Sequence, residues 1–394
     1  MKRATRITSI SVAILAAATL AACSSSKSGG GSGSGSGSST GAGSGGVDAA
    51  GLAQAKALVA QYDTAPTKIP QSVALPSKPP AGKTLAFLVQ EGVSSNALIG
   101  NAEKEAVQAI GWNYVEIPYD GSNPATLQAA FATALTKHAD VVNLTAIPTS
   151  LFGASTLAAY KSAHVPIIVG AEAPLPPAND PVIQSGDADG PSTFQQAAKV
   201  VAAWFVADSG GKGNAVIESV PSLSVIPPWI DEFKSEVQTL CPTQCGVQVV
   251  NATLTQATSP GQNGTLLTSA LRRNPNYKYL LFSDATFASG INSALSSAGL
   301  SDIRVGGSDF QSEQAAALRA HTQAAWTGVS LQNLAYGNVD YAIRAVMGVP
   351  LTSNNDQLPI ELVTAANIGN QTTFNQPTDS LQQYEKIWQV ASTS

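Results

Sequence analysis

Four acidic side chains are the groups in this sequence that are best placed to do chemistry. Glu91, Glu172, Asp284 and Asp309 each come shortly after an apolar run of the kind that forms a buried strand. Because the carboxyl ends of parallel strands meet at one edge of a sheet, these carboxylates could converge in a cleft. Converging carboxylates either transfer protons in catalysis or accept hydrogen bonds from a bound molecule. Other features of the sequence must decide between catalysis and ligand binding.

The motifs that the sequence lacks disfavour an enzyme. No predicted strand leads into a Gly-x-Ser-x-Gly nucleophile elbow, and no phosphate-binding loop occurs. The three histidines, His138, His164 and His321, do not have the spacing of a metal site. We therefore interpret the carboxylates as ligand-binding groups. We predict no catalytic residue, no metal and no cofactor, and keep a cleft enzyme as a remote alternative.

Two of the three cysteines lie close together, in the segment Cys241-Pro-Thr-Gln-Cys245. Outside the cytoplasm, cysteines this close in sequence usually oxidise. We expect a disulfide that holds the turn between a helix and a strand. The alternative is half of a zinc site, although the sequence has no second cysteine pair.

Short apolar strands alternate with helices in two successive series along the chain. The first series begins with a strand at Thr84–Gln90 and reaches a strand at 165–169. After a polar break at 185–190, the second begins with a helix at 192–207 and closes with a helix at 334–347. Continuous apolar strands between helices are typical of parallel sheets covered on both faces. The pattern predicts an α/β fold of two doubly wound parallel-sheet lobes, with a ligand site in the cleft between them.

The amino terminus has the pattern of an export signal. Lys2, Arg3 and Arg6 precede an apolar stretch at 10–20, which is too short to span a bilayer. The stretch ends in Leu-Ala-Ala-Cys23, which resembles the lipobox of bacterial lipoproteins. The resemblance implies cleavage before Cys23 and its lipidation. An ordinary cleaved signal with an incidental cysteine is the alternative.

The composition is consistent with a tethered protein of two domains. After the signal at 1–23, residues 24–46 are almost entirely Ser and Gly, as in flexible tethers. Hydrophobic residues make up 44% of the chain, charged residues 12%, and the formal net charge is −5. No extended Lys or Arg run occurs, so nucleic acid is not an expected partner. No later apolar segment is long enough to predict a transmembrane helix.

Several short motifs, taken in order, resemble the ribose-binding, or type I periplasmic binding protein, family over roughly residues 83–368. The motifs lie at 83–87, 120–124, 165–169, 282–290, 306–309, 337–340 and 359–367. The resemblance implies two lobes joined by three hinge crossings that close around a small molecule. It also implies delivery of that molecule to the permease of an ABC importer, whose ATPase is another chain.

The resemblance sets approximate domain boundaries. We place the first lobe at 83–187, completed by a helix at about 331–350, and the second lobe at 188–330. Residues 47–82 form a helix and a proline-rich lead-in. Residues 351–394 form the final crossing and a C-terminal tail.

The resemblance further implies which residues hold the ligand. They are Glu91 and Asn96 after the first strand, Asp284 after a second-lobe strand, Asp309 in a Gly-x-Asp turn, and Gln332 near the last crossing. Simpler roles are open for two of them, because Asp309 could cap a turn and Asn96 could cap a helix.

Two departures from the family pattern concern the ligand. Ribose-type relatives have an Asp-Arg pair where this chain has Ala171-Glu172, and Glu172 could only partly replace it. The family arginine near Pro228 is also absent, although Trp229 could offer a flat apolar face or simply pack at the helix end. These differences favour a ligand that is less hydroxylated than a pentose, or aromatic.

We therefore expect a monomeric substrate-binding protein of an ABC importer, lipid-anchored at the extracytoplasmic face of the cell membrane. Its expected ligand is a sugar, a sugar-like polyol or an aromatic relative of these. A sensory lipoprotein of the same fold is the alternative, since the sequence does not separate a permease from a receptor as the partner.

Overall fold

The computed structural model describes residues 47–390, apart from short gaps at 172–173, 175, 178–179, 185–190 and 352–357. The expected signal with Cys23, the tether and Glu172 lie outside the described residues. Within the described part of the chain, no helix is long and apolar enough to cross a membrane.

The first lobe is built on a five-stranded parallel sheet. Its strands are β1 (Thr84–Gln90), β2 (Asn113–Tyr119), β3 (Val141–Thr145), β4 (Ile167–Gly170) and β5 (Ile183–Gln184). They lie in the order β2-β1-β3-β4-β5. β3 is buried along its whole length and β1 along most of it, as their unbroken apolar runs predict.

Helices connect these strands and cover both faces of the sheet. After a separate N-terminal helix, α1 (Ala49–Gln61), they are α2 (Ser94–Ala109), α3 (Pro124–Thr136) and α4 (Ala154–Ala163). A short 3₁₀ helix, Thr149–Leu151, precedes α4. The start of α3 is encoded locally, because the Asn123 side chain accepts the N–H of Ala125 and Pro124 occupies the first turn.

The second lobe is built on a six-stranded sheet. Its strands are β6 (Asn214–Ser219), β7 (Gly246–Asn251), β8 (Tyr279–Phe282), β9 (Arg304–Ser308), β10 (Ala325–Val329) and β11 (Ile360–Thr364). The order is β11-β10-β9-β8-β6-β7, and every pair is parallel except β10 with β11. The prediction of two doubly wound lobes is confirmed.

The remaining helices follow the second-lobe strands or return to the first lobe. They are α5 (Pro191–Asp208), α6 (Ile226–Leu240), α7 (Leu254–Ala257), α8 (Pro260–Arg273), α9 (Ile291–Ser297), α10 (Ser312–Arg319), α11 (Leu331–Met347) and α12 (Ser380–Ile387). A 3₁₀ helix, Ala285–Ala288, precedes α9.

The chain passes between the lobes at the three expected connections, β5 to α5, β10 to α11 and α11 to β11. The helix α11 packs on α2, β3 and β4 of the first lobe. Two further passages occur at the chain's ends. The lead-in runs from α1, which packs on α5 and α6, to β1, and the segment after β11 returns to α12, which packs on α11.

The contact of α1 with the second lobe depends on a glycine. A Cβ at Gly51 would lie 2.0 Å from the carbonyl oxygen of Leu240, so a larger residue would push the helix away. Ala55, one turn further along α1, is fully buried.

Cys241 and Cys245 form a disulfide across the turn from α6 to β7, with Cα atoms 5.6 Å apart. The disulfide prediction is confirmed, and the half-site for zinc is wrong because both sulfurs are used.

Two helix boundaries follow local features of the sequence. The helix α6 begins at Ile226, because Pro227 and Pro228 fit a first turn that needs no N–H donor. The helix α9 begins at Ile291, directly after Gly290, whose φ of +70° is left-handed. The helix α12 lies within the segment interpreted as a tail.

A buried ion pair connects both ends of the chain to α11. Arg344 Nε lies 2.7 Å from Asp340 Oδ2, and both side chains are 1% exposed. Asp340 also accepts hydrogen bonds from Trp388 Nε1 of α12 at 2.9 Å and from Gln71 Nε2 of the lead-in at 3.0 Å. Arg344 donates to the carbonyl of Val73. The cluster therefore holds the lead-in, α11 and α12 together.

Breaking this pair should destabilise the fold strongly. We expect Arg344→Met to lower the free energy of unfolding by about 3–5 kcal/mol, because it leaves the Asp340 carboxylate buried without its cation. The measurement is urea unfolding followed by circular dichroism. Lys278→Met, which breaks the exposed pair with Asp302, is the matched control and should cost under about 1 kcal/mol. Equal losses in the two variants would contradict the structural role of the cluster.

Candidate functional site

A cavity lies between the two lobes, where the carboxyl ends of their sheets face each other. Its wall is largely apolar and includes Ile99, Phe194 and Ile226. The polar lining residues are Gln90, Ser95, Asn96, Thr145, Ser283, Asp284 and Asp309. Most of them end or directly follow β1, β3, β8 or β9, which is where ligands bind in open α/β sheets.

Three buried polar atoms in this cavity have no hydrogen-bond partner among the described residues. They are Gln90 Nε2 from the first lobe, and Ser283 Oγ and Asp309 Oδ1 from the second. A buried polar group without a partner costs roughly 1–3 kcal/mol, so native folds keep such groups mainly where they have a function. Residues of both lobes that line the cavity thus carry polar atoms without a described partner, and the Gln90 amide also lies against Gly121.

Asn96 joins the ends of two first-lobe strands. Its Oδ1 accepts the N–H of Gln90 at 2.7 Å, and its Nδ2 donates to Thr145 Oγ1 at 2.6 Å. Asn96 therefore lines the cavity as expected, while its amide orients the strand ends around it.

Asp284 forms a contact between the lobes. Its Oδ1 accepts the N–H of Thr286 at 2.7 Å, and its Oδ2 accepts the hydroxyl of Ser95 in the first lobe at 3.2 Å. Burial raises the pKa of Asp284, and these hydrogen bonds lower it in part. The two hydrogen bonds hold the Asp284 carboxyl group at the interface between the lobes.

Asp309 is 3% exposed and is held in an unusual backbone conformation. Its φ is +62°, in the left-handed region, and its N–H donates to the carbonyl of Thr327 at 2.8 Å. The preceding Gly307 is required for close packing, because a Cβ there would lie 2.1 Å from the carbonyl oxygen of Phe282. Burial, and then the nearby Asp284, raise the pKa of Asp309 well above its usual range.

A third carboxyl group, Glu218 on β6, lies near Asp284 and was not predicted as a site residue. Glu218 is 1% exposed. Its pKa is raised to about 8, chiefly by burial; a contact with Asn263 lowers the pKa in part, and the nearby Asp284 contributes to raising it. The signal in the sequence was a lone acidic residue near the end of an apolar strand, Asn-Ala-Val-Ile-Glu-Ser219.

Three other predicted ligand residues do not line the cavity. Glu91 is exposed at the turn that Gly92 makes before α2. Gln332 lies on α11 and lines a separate pocket near Phe374. Trp229 is fully buried inside the second lobe, where it stacks on Phe233.

Trp229 instead contacts the residue next to Asp309. Its indole Nε1 donates to Ser308 Oγ at 3.0 Å, and Ser308 directly precedes Asp309. The side chain therefore has the helix-packing role that the sequence left open for it.

The lobes are closed on each other through direct hydrogen bonds. Ser94 Oγ of the first lobe donates to Gln311 Oε1 of the second at 2.8 Å. On the other side of the cavity, the N–H of Ser224 donates to the carbonyl of Ala146 at 3.3 Å. The cavity has a volume of about 50 Å³, enough for a few water molecules.

The model of the family described as periplasmic binding protein domain matches residues 93–349. The chain belongs to the periplasmic binding protein family. This confirms the resemblance read from the sequence. No curated protein matches the chain significantly.

Solved structures share the fold at low sequence identity. A carbohydrate transporter solute-binding protein from Agrobacterium radiobacter, in complex with D-arabinose, is 17% identical with a TM-score of 0.61, over 74% of this chain and 97% of that one. A 5-methylthioribose transporter solute-binding protein from Thermotoga lettingae, in complex with 5-methylthioribose, is 14% identical with a TM-score of 0.63, over 82% and 96%. A putative LacI transcriptional regulator from Bacteroides fragilis is 15% identical with a TM-score of 0.61, over 74% and 99%. Members of this fold therefore include both transport proteins and a putative regulator.

The buried carboxyl group of Glu218 should make the stability of the fold depend on pH. Between its ordinary value of 4.5 and its raised value of about 8, Glu218 holds a proton in the folded protein that the unfolded chain has released. Stability therefore falls as pH rises through this window. We expect Glu218→Gln to be more stable than the parent by roughly 1–3 kcal/mol at about pH 8 and no more stable at about pH 4.

Urea unfolding across this pH range measures the difference. Glu116→Gln, at an exposed position on β2, is the control and should keep the pH dependence of the parent. A Glu218→Gln profile parallel to that of the parent would show that Glu218 does not carry the effect.

Proposed function

We propose that the chain is the substrate-binding component of an ABC importer, and that it captures a small polar molecule of the sugar or polyol class between its lobes. The observation that carries the proposal is the set of buried polar atoms, without partners among the described residues, on residues of both lobes that line one cavity. These atoms can pair with one molecule only when that molecule lies between the lobes.

The ligands of structural neighbours support the chemical class. Two transporter solute-binding proteins of this fold hold D-arabinose and 5-methylthioribose. Both ligands carry hydroxyl groups, which donate to carboxylates and accept from amides. The polar atoms of Asp309, Ser283 and Gln90 are of the types that bind such groups.

Features outside the cavity favour transport over gene regulation, which the same fold also serves. The sequence has the pattern of an export signal with a lipobox, and it lacks an extended basic run for nucleic acid. The expected location is the extracytoplasmic face of the membrane, with a lipid on Cys23 as the anchor and a permease as the partner. Binding rather than catalysis is supported by the family.

Ligand binding at the cavity should be visible as stabilisation. In a thermal-shift screen of sugars, polyols and aromatic metabolites, we expect a member at about 100 times its Kd to add about 2.7 kcal/mol to the free energy of unfolding. Asp309→Ala should weaken binding at least about tenfold, because it removes an acceptor that faces the ligand. The exposed Asp302→Ala, at the opposite end of the second sheet, is the control. Unchanged affinity in Asp309→Ala would exclude this cavity as the site.

The lipid anchor can be tested separately from binding. We expect the exported protein to be found in the membrane fraction, with the mass of acyl groups on an N-terminal Cys23. Cys23→Ala should release it or block its maturation, whereas Ser24→Ala should leave it anchored. An exported chain with an unmodified Cys23, measured by mass spectrometry, would refute the anchor.

A further inference from the structure

The lining of the interlobe cavity carries acidic groups and no cationic group. Asp284 and Asp309 both line it, Glu218 lies near Asp284, and none of the described lining residues is a Lys, Arg or His. Carboxylates in a closed cleft need a proton or a counter-charge, since an unpaired buried charge is strongly unfavourable. The cleft must therefore obtain a proton or a positive charge from elsewhere.

The sequence around the cavity offers no cation either. The segments that end the lining strands, 84–103, 213–233, 279–303 and 305–318, contain no Lys, Arg or His. The stretch 165–198, which includes most of the gaps in the described chain, also has none. It holds four acidic residues instead, Glu172, Asp180, Asp187 and Asp189. Residues 352–357, Thr-Ser-Asn-Asn-Asp-Gln, have none. Any of these segments would add negative charge to the cleft or leave it unchanged.

One carboxyl group in the lining has an oxygen atom without a hydrogen-bond partner among the described residues. Asp309 is 3% exposed, lines the cavity, and its Oδ1 has no hydrogen-bond partner among the described residues. Ser283 Oγ, also buried and without a described partner, lines the same cavity. The neighbouring Asp284 also raises the pKa of Asp309, since one carboxylate disfavours the ionisation of another close to it.

We infer that the ligand carries a protonated amine, as in an aminated sugar or polyol, and that its ammonium group binds at Asp309, Asp284 and Ser283. An ammonium has three donors and no acceptor, which matches a group of acceptors with no competing cation. The hydroxyl groups of the same ligand would accept from Gln90 Nε2, and its carbon skeleton would contact the apolar wall near Phe194. The inference rests on the proposed function and names its substrate class.

A divalent metal ion is a less suitable source of positive charge for these carboxylates. No group of three or more His, Cys, Asp or Glu residues in the described part of the chain could hold a metal ion. A neutral polyol would supply no positive charge, so closure around it would leave the carboxylates to be neutralised by protons. A protonated amine supplies both the positive charge and the hydrogen-bond donors that the carboxylates lack.

The test compares matched ligands that differ in one group. Glucose, glucosamine and N-acetylglucosamine form one set, and sorbitol, 1-amino-1-deoxysorbitol and its N-acetyl derivative form another. Binding to the full mature protein is measured by thermal shift and then by isothermal titration calorimetry. We expect an amine to bind at least about tenfold more tightly than its hydroxyl and N-acetyl partners.

The variant Asp309→Asn tests whether Asp309 supplies the negative charge that binds the amine. Asn tolerates the left-handed backbone at this position and keeps the size of the side chain, so the fold should be retained. We expect it to lose about 100-fold in affinity for the amine, as for one partner of a buried charge pair, and much less for the hydroxyl analogue. Asp302→Asn removes the same charge from an exposed site and should change neither affinity.

The outcomes separate this inference from the proposed function. If hydroxyl or N-acetyl members bind as tightly as the amine, the inference is overturned while binding of a polyol in the cleft stands. If amines bind but Asp309→Asn does not weaken them, the assigned site is overturned. If no member of either set binds, the inference fails, and only the wider thermal-shift screen then decides whether the cleft binds another class.

Discussion

The parallel direction of the strands is the constraint on which the rest of this structure depends. Ten of the eleven strands in the two sheets run parallel to their neighbours, and β11 alone is antiparallel. Parallel strands bring all of their carboxyl ends to one edge, and the polar residues that follow buried strands collect there. Because those edges of the two lobes face each other, Gln90 and Thr145 of one lobe come close to Ser283 and Asp309 of the other.

The chain's two ends reinforce this arrangement without entering the site. The helix α1 packs on the second lobe, and the lead-in that follows it is bound to α11 through the Asp340–Arg344 pair. Trp388 of α12 is bound to the same aspartate. The lobes are thus joined by more chain than the three hinge crossings, and these contacts lie away from the cavity. The interlobe contacts at the cavity are individual hydrogen bonds, such as those from Ser94 to Gln311 and from the Ser224 N–H to the Ala146 carbonyl, which can break when the lobes part.

Several groups in the site lower the stability of the folded protein. Asp309 combines a left-handed backbone with a buried carboxyl oxygen that has no described partner, and Glu218 carries a pKa raised to about 8 by burial. Each feature is unfavourable in the ligand-free fold. Proteins retain such groups where function needs them, because selection tolerates a moderate loss of stability at a binding site. A ligand that pairs with these groups would recover that free energy on closure.

The sequence by itself determined the two lobes, the strand ends and the disulfide, because hydrophobic period and chain-local spacing encode them. It also indicated Asn96, Asp284 and Asp309, since each follows a strand whose end must reach the cleft. Only the tertiary structure decided which neighbouring residues share the cavity. Trp229 turned out to pack inside its lobe, Glu91 to face solvent, and Glu218 to join the acidic group. The reason is that a side chain's burial there depends on how helices and lobes distant in sequence pack together, and no local pattern records that packing.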